Sequence, residues 1–591
     1  IFEVAETELG LGKEEVYLFG GPVYARQIDV SGANIVAKFT PFSICISLLL
    51  SWFCMQRFKL IWVMFLTAIL TTTAGLVAIY FCGVQMDPLL MLLPGFWFIM
   101  AMSGSLHFLN YYIETEDQGN SVERVGATIR KAIWPSSLAV FTTCIGLFSL
   151  CTSEILPISR FGFFAALGLA CGFVTMYAFL PAYLSVFPIR TATKNSSANR
   201  FWSAYGKFVC RFNRKTAFVF VLLLIGGAIG FSQLGFSNKL SDQFAHESRI
   251  NQDTRWFEDN IGPVLPFEIL VRFARSDLPK PSECLQYVHE LQTKMAQLGV
   301  PNKTLSVTSI IPFDIGTGAR QTIRRKILDR RLESVRDSLA QTKYVITEDE
   351  QEMWRLTVFA YNSSAASMSA YLGSIEQAIS ELNSNKPDYL KPEVSFAGLG
   401  ARMAVITQKL GGGLMASCFV SVALIALVVI FALRSIKLGL VAMLPNLFPI
   451  VFSFGLFGFF SPSLDIGSIM TASIAMGIAV DDTIHFMYWF RQAMLANRSR
   501  SEAIQFAILK SGRAIASTSL ICGLGFFVYF FCEFMPVARF GQLLFLMLSA
   551  ALVGDLFFLP ALLQALPGSI FKSNEINEGD LTDRERVPRY I

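Results

Sequence analysis

Charge is what this sequence has least of. Of 591 residues 16% are Asp, Glu, Lys or Arg, against 53% hydrophobic, and the mean hydropathy is +0.50. That balance excludes a soluble globule and describes a polytopic membrane protein. Cysteine pairs are missing too. Cys45, Cys54, Cys82, Cys144, Cys151, Cys171, Cys418, Cys522 and Cys532 fall in or beside apolar runs, Cys210 in a basic loop, and Cys284 alone in the long polar segment, so no disulfide framework is expected. Segment 236–411 holds no metal-ligand cluster and no nucleophile–base motif. His246 and His289 stand alone in it and read as ordinary surface or core histidines. Gly411-Gly412-Gly413 is not followed by the Lys-Ser/Thr of a phosphate loop and reads as a hinge. No enzyme activity and no metal is expected, and no cofactor beyond a proton gradient. The net charge of +5 sits in loops between apolar runs, which gives no reason to expect nucleic acid. The chain opens at Ile1 in a polar stretch (Glu3, Glu6, Glu8, Lys13, Glu14, Glu15) with no signal peptide or first anchor. The expectation is therefore N-terminal incompleteness: one span and most of a first outside domain should precede it.

What is abundant is apolar runs of membrane-crossing length. They fall at about 38–55, 60–83, 89–112, 134–152, 161–187, 217–235, 412–433, 438–461, 466–489, 514–533 and 540–566, which predicts eleven spans. Arg57, Lys59, Arg124, Arg130, Lys131, Arg190, Lys194, Arg200, Lys207, Arg211, Arg214 and Lys215 lie in loops of one side. So do Arg434, Lys437, Arg491, Arg498, Arg500, Lys510, Arg513 and the tail from Lys572 to Arg589. The other side's short loops hold little beyond Arg160 and Arg539. The excess of Lys and Arg predicts that the first set is cytoplasmic and that 236–411 lies outside.

The chain also repeats itself. Arg160-Phe161-Gly162 … Leu180-Pro181-Ala182 returns as Arg539-Phe540-Gly541 … Leu559-Pro560-Ala561, an offset of 379, and Leu106-His107-Phe108 matches Ile484-His485-Phe486 at 378. Phe19-Gly20-Gly21 … Ala25-Arg26 similarly resembles Phe396-Ala397-Gly398 … Ala401-Arg402. Both copies run the same way through the membrane, so they are parallel repeats. The predicted domains are 1–34, the end of a first extracytoplasmic domain; 35–190, a five-helix unit; 191–235, a connector with one span; 236–411, a second extracytoplasmic domain; 412–566, a second five-helix unit; and 567–591, a cytoplasmic tail. In 236–411 strands are expected at 267–273, 354–361 and 394–396, and helices at 281–298, 321–341 and 367–382. That order suits a small α/β sandwich of ferredoxin-like type.

One span breaks the apolar rule. Gly477-Ile478-Ala479-Val480-Asp481-Asp482-Thr483-Ile484-His485 puts two carboxylates and an imidazole inside 466–489. An ionised Asp near a bilayer centre costs roughly 2.5–3.5 kcal/mol on insertion scales. On a helix His485 is i+4 from Asp481 and i+3 from Asp482, so the three can share a face, with Gly477 one turn earlier admitting a neighbouring helix. Two carboxylates this close resist ionising together, which suits a site that takes up and releases protons. The competing reading is a polar knot that fixes helix packing. Asp481 and Asp482 align with Ser103 and Gly104, and Asp555 with Met176, so the ionisable groups belong to the second half. Ser103, Ser105 and His107 are expected to face them as an uncharged polar wall.

Gly477-x-x-x-Asp481-Asp482-x-x-His485, Leu444-Pro445-Asn446-Leu447-Phe448-Pro449-Ile450 and Arg539-Phe540-Gly541 … Asp555-x-x-x-Leu559-Pro560-Ala561 together resemble the resistance-nodulation-division (RND) superfamily. Within it the MmpL and hopanoid-exporter-like branch is the most similar, and its five-span unit is shared with Patched-like proteins as a sterol-sensing domain. The resemblance implies proton-driven export through twelve spans with two outside porter domains, and it implies proton carriage by Asp481 and Asp482. This chain departs from that pattern at Ser103-Gly104, where many members carry acidic residues. The expected function is a proton-coupled transporter in the cell (inner) membrane for a hydrophobic or amphipathic substrate, a lipid. Asp481, Asp482, His485 and Asp555 are the relay candidates, and Gly477, Ser103, Gly104 and His107 the packing around them. Membrane lipids are the expected surroundings, and homo-oligomerisation is left open. The alternatives are a sterol-sensing regulator that binds lipid without net transport, which has no need of the carboxylate pair, and an assembly factor whose outside domain binds proteins.

Overall fold

The computed structural model describes residues 2–115, 120–189, 196–236, 241–274, 279–298, 302–311, 321–348, 351–361, 365–384, 386–460 and 463–566. The predicted tail 567–591 lies outside them. The first membrane unit comprises α1 (Gly21–Met55), α2 (Phe58–Phe81), α3 (Leu93–Glu114), α4 (Ser121–Ser149) and α5 (Leu156–Val186). Then come α6 (Ser196–Arg211) and the span α7 (Asn213–Phe231). The second unit comprises α11 (Gly398–Leu433), α12 (Ile436–Phe460), α13 (Ile466–Leu495), α14 (Arg500–Phe527) and α15 (Met535–Ala565). Between the two units lie the elements of the polar segment, β1 to β5 and α8 to α10.

Ten helices among the described residues are long and apolar enough to cross a membrane, one fewer than the sequence predicts. The difference is α13. It is 30 residues long, but its two carboxylates and its Ser and Thr residues dilute its apolarity. It lies against α4, α14 and α15, and a polar helix in a membrane protein is tolerated in such a place, shielded from lipid by other helices. The helices also run past the apolar runs. α1 starts at Gly21 and α11 at Gly398, well before the predicted 38 and 412. A glycine with positive φ marks each start, 128° at Gly20 just before α1 and 89° at Gly398, the first residue of α11, a conformation glycine adopts at no steric cost. The run Gly411–Gly413 therefore falls within a continuous helix instead of forming a hinge. Glycine weakens a helix by only about 1 kcal/mol per residue, and the apolar stretch that follows carries the helix through.

The two units interlock reciprocally. α4 of the first packs on α13 and α11 of the second, while α14 of the second packs on α3 and α1 of the first. The central crossing of α4 and α13 is made by glycines. A Cβ on Gly477 would lie 2.8 Å from the Thr143 Cα, and one on Gly146 2.6 Å from the Ser473 carbonyl oxygen. Thr143 Oγ1 donates across that crossing to the Gly477 carbonyl at 2.9 Å. Backbones this close give the packing and interhelical hydrogen bonding on which helix association in lipid depends.

The polar segment folds as a four-stranded antiparallel sheet with helices, plus one added strand. Its strands are β1 (Leu265–Ala274), β2 (Asn302–Leu305), β3 (Val345–Glu348), β4 (Gln351–Ala360) and β5 (Glu393–Ala397). Helix α8 (Pro281–Gln297) follows β1, α9 (Gln321–Ser334) follows β2, and α10 (Ala365–Ser384) follows β4. The spatial order is β2-β4-β1-β5, with β3 paired to β4 at the hairpin. This is the split β-α-β arrangement of the ferredoxin-like sandwich. Phe267, Ile269, Val271 and Phe273 are all at most 1% exposed, which is the period of two that made β1 legible. The short strands β2 and β3 carry too few apolar residues to show that pattern. Two smaller contacts tie this region to the membrane helices. Gly235-Phe236, just after α7, pairs in parallel with Ser463-Leu464, just before α13. Phe244 bridges Phe534, just before α15.

Candidate functional site

The ionisable residues meet where α13 faces α3, α14 and α15. Asp481 Oδ1 lies 3.3 Å from His485 Nε2 one turn on, as the i,i+4 spacing predicts. Asp482 points elsewhere. It accepts from Thr518 Oγ1 at 3.1 Å and Ser519 Oγ at 2.8 Å on α14, and it lies 3.4 Å from His107 Nε2 on α3. The expected single face is thus split, because successive helical residues project about 100° apart. His485 and His107 rejoin the two branches. Their rings stack at 4.1 Å, 8° from parallel. His485 Nδ1 is 2.9 Å from the Tyr111 hydroxyl, and both histidines are at most 3% exposed.

Asp555 enters from α15. A π-helical turn, Gly554–Phe558, interrupts that helix and carries the carboxyl, 1% exposed, against α13. Such single-turn bulges recur at functional positions. Thr483 Oγ1 is hydrogen-bonded to Asp555 Oδ1 and lies 3.0 Å from Asn446 Oδ1, within the Leu-Pro-Asn-Leu-Phe-Pro run of α12. Asp555 therefore belongs to the level of the Asp481–Asp482 pair.

The remaining sequence candidates take smaller places. Gly477 and Thr143 set how closely α4 approaches. Gly104 leaves 3.4 Å from its absent Cβ to Met176 Sδ. Ser103 and Ser105 are buried, and the Ser105 hydroxyl has no hydrogen-bond partner among the described residues. Of the expected polar wall it is His107 that reaches a carboxylate, so it stands among the ionisable groups and not merely in the packing. Sequence reasoning missed Tyr111, Thr483, Asn446, Thr518 and Ser519. Tyr111 could have been found, since it lies one helical turn from His107. The α14 hydroxyls come from another helix, which no local pattern ties to Asp482.

Ligand atoms of His107, Asp481 and His485 lie within 4.8 Å of one another, near enough for a metal ion to be considered. The stack argues against one. In-plane lone pairs of two parallel rings 4.1 Å apart do not converge on a single ion, whereas the Nε2 of each ring lies 3.3–3.4 Å from its own carboxylate.

Two family matches fall on the two halves. Residues 53–203 match the sterol-sensing domain of SREBP cleavage-activation, and residues 306–577 match the MMPL family. A membrane protein of the archaeon Methanocaldococcus jannaschii is 24% identical over 139 residues, which is 24% of this chain and 36% of the archaeal one. The cryo-EM structure of the hedgehog release protein Disp from the water bear Hypsibius dujardini is similar with a TM-score of 0.68 at 13% identity. That likeness covers 94% of this chain and 73% of Disp, and it is one of fold. The chain is thus a multi-pass membrane protein whose first half is similar to a sterol-sensing domain and whose second half is similar to the MMPL family.

Proposed function

We propose that the protein is a proton-coupled RND-type transporter that moves a hydrophobic or amphipathic substrate, a lipid, out of the cell membrane, with 236–411 extracytoplasmic and the Arg-rich loops cytoplasmic. The observation that carries this reading is the chain of titratable side chains spanning both halves, all buried except the half-buried Asp481. It comprises Asp481 with His485, the His485–His107 stack, Asp482 beside His107, and Asp555 one residue along α13 through Thr483. Intramembrane carboxylates facing a bundle interior mark proton pathways by default. Proton uptake at Asp482 would weaken its attraction for His107 on α3, and the two halves would then rock about the glycine crossing of α4 and α13. The sterol-sensing match and the fold of a protein named for hedgehog release both favour a lipidic or protein-linked cargo over a small hydrophilic one.

The second reading, lipid sensing without transport, is favoured by the match over 53–203. Asp481→Asn and Asp482→Asn decide between the two. Asn keeps size and hydrogen bonding but cannot titrate. In proteoliposomes with an imposed pH gradient, both variants should insert and fold normally while proton-linked export falls to background. Unchanged proton-linked export would make the carboxylates structural and leave sensing as the better account.

A further inference from the structure

Helix α6, the amphipathic stretch before the span α7, has three different sides. One is packed. Trp202 covers Gly512 of α14, where an added Cβ would stand 2.8 Å from the indole ring, and Val209 is 1% exposed. The Tyr205 hydroxyl donates to the Leu556 carbonyl oxygen at 3.0 Å, inside the π-helical turn that carries Asp555. A second side is an open aromatic ridge. Phe201 and Phe208 lie seven residues apart, hence on one line of the helix, and are 61% and 52% exposed. Phe212, just past the helix, continues the ridge with its ring 5.0 Å from that of Phe208. The third side is basic. Arg200, Lys207 and Arg211 follow one another at spacings of seven and four residues, all exposed, and none forms an ion pair with a carboxylate among the described residues. The chain itself sets where these two open sides lie. Phe212 alone separates α6 from α7, a span that shows Phe218 and Leu222 to its surroundings, 63% and 51% exposed, and that opens with the exposed Arg214 and Lys215. The ridge therefore leads directly into the outward side of a membrane helix.

We propose that α6 is a membrane-surface helix that binds the acidic phospholipids of its leaflet, with Phe201 and Phe208 set among the upper acyl chains and Arg200, Lys207 and Arg211 on the headgroup phosphates. An interfacial helix needs an apolar side and a basic side next to each other, and it draws on anionic lipid through both. A soluble acidic partner would answer the cations but leave the phenylalanine ridge in water. Guanidinium groups match phosphate oxygens in pairs, which suits Arg200 and Arg211. The site also has a route inward. Tyr205 ties α6 to the turn of Asp555, so seating the helix on lipid would brace that turn through one hydrogen bond. The lipid site itself does not depend on whether the carboxylates carry protons.

Photo-crosslinking in proteoliposomes tests it. Phosphatidylglycerol and phosphatidylcholine with the same diazirine-bearing chains are compared, and the adducts are mapped by peptide mass spectrometry. Phosphatidylglycerol should mark residues 201–212 on the order of tenfold more than phosphatidylcholine, as several basic groups at a headgroup would give. The middle of α2, where Ile69 and Leu70 are exposed, should take both lipids alike. Arg200→Gln, Lys207→Gln and Arg211→Gln combined should bring the two lipids level on α6, and added salt should shrink the preference in the unaltered protein. Phe201→Ser with Phe208→Ser, which leaves the charges in place, should lower the adducts of both lipids. All five side chains are exposed, so these variants should fold. Equal marking of α6 by the two lipids, or an undiminished preference in the Gln variant, would overturn the acidic-lipid site. So would unchanged adducts in the Ser variant, a result that stands alone if the Gln variant fails to fold. An unmarked α6 beside a marked α2 would put the helix off the membrane and make its basic side a surface for a soluble acidic partner.

Discussion

Thr483 carries more of the site than its size suggests. It has one hydroxyl proton and two acceptors in reach, Asp555 Oδ1 and Asn446 Oδ1, while Asp555 Oδ2 is buried with no hydrogen-bond partner among the described residues. Thr483→Val should therefore strand a buried carboxyl and lower stability by about 1–3 kcal/mol, whereas Thr483→Ser should be close to neutral. Thermal unfolding in detergent separates the two. His107→Phe tests the next contact. It preserves an aromatic ring against His485 but removes the nitrogen beside Asp482. Proton-linked export should drop while the unfolding temperature changes little, and unaltered export would place His107 outside the relay. Much of this was legible in the residues. Asp481, Asp482 and His485 declared themselves as polar intrusions in an apolar run, and His107 through the repeat. Thr518, Ser519 and Asn446 did not, because Ser, Thr and Asn are unremarkable in membrane helices and only the packing of α12 and α14 brings them to the carboxylates.

At the scale of elements, the crossing of α4 and α13 is set by the smallest side chains. Replacing Gly477 by Val would put branched carbons where the Thr143 backbone already lies, so the helices must separate. Overpacking of this kind typically costs about 1–3 kcal/mol. Gly477→Val should lower the unfolding temperature and impair export together, while Gly104→Ala, whose nearest neighbour is the flexible end of Met176 at 3.4 Å, should leave stability nearly unchanged. The helices themselves were readable from hydropathy, and their ends were not. α1 and α11 extend beyond the apolar run because amphipathic turns outside a membrane look like loop in a hydropathy scan. The sheet of 236–411 was half-readable for a related reason. β1 and β4 are ten residues each with alternating burial, whereas β2 and β3 have four.

Across the whole molecule, orientation is the property most open to a direct check. Ser374 is exposed on α10, so in a Cys82→Ser background a maleimide added from outside should label Ser374→Cys. Asn497→Cys, in the loop after α13, should be reached only after the membrane is permeabilised. The reverse pattern would invert the assignment of sides. Cys284 should stay silent in either case. It is 1% exposed, and burial, with Glu352 and Glu283 near it, pushes its thiol above the usual range. It should remain protonated and unlabelled at pH 8 until the domain is unfolded in denaturant.

The parallel pairing of Gly235-Phe236 with Ser463-Leu464 has a mechanical meaning. The first strand leads into the α/β domain, and the second leads into the helix of the carboxylates. The two strands are only two residues long, yet their ladder couples the ends of α7 and α13 like a latch on a rod. If α13 slides or tilts as its carboxylates gain and lose charge, the latch must either travel with it, hauling the root of the sandwich, or open. Spin labels at Arg249, in the polar segment that follows the first strand, and at Asn497, at the far end of α13, would tell these apart. A latch that travels gives one distance that shifts with pH as a single population; a latch that opens gives two.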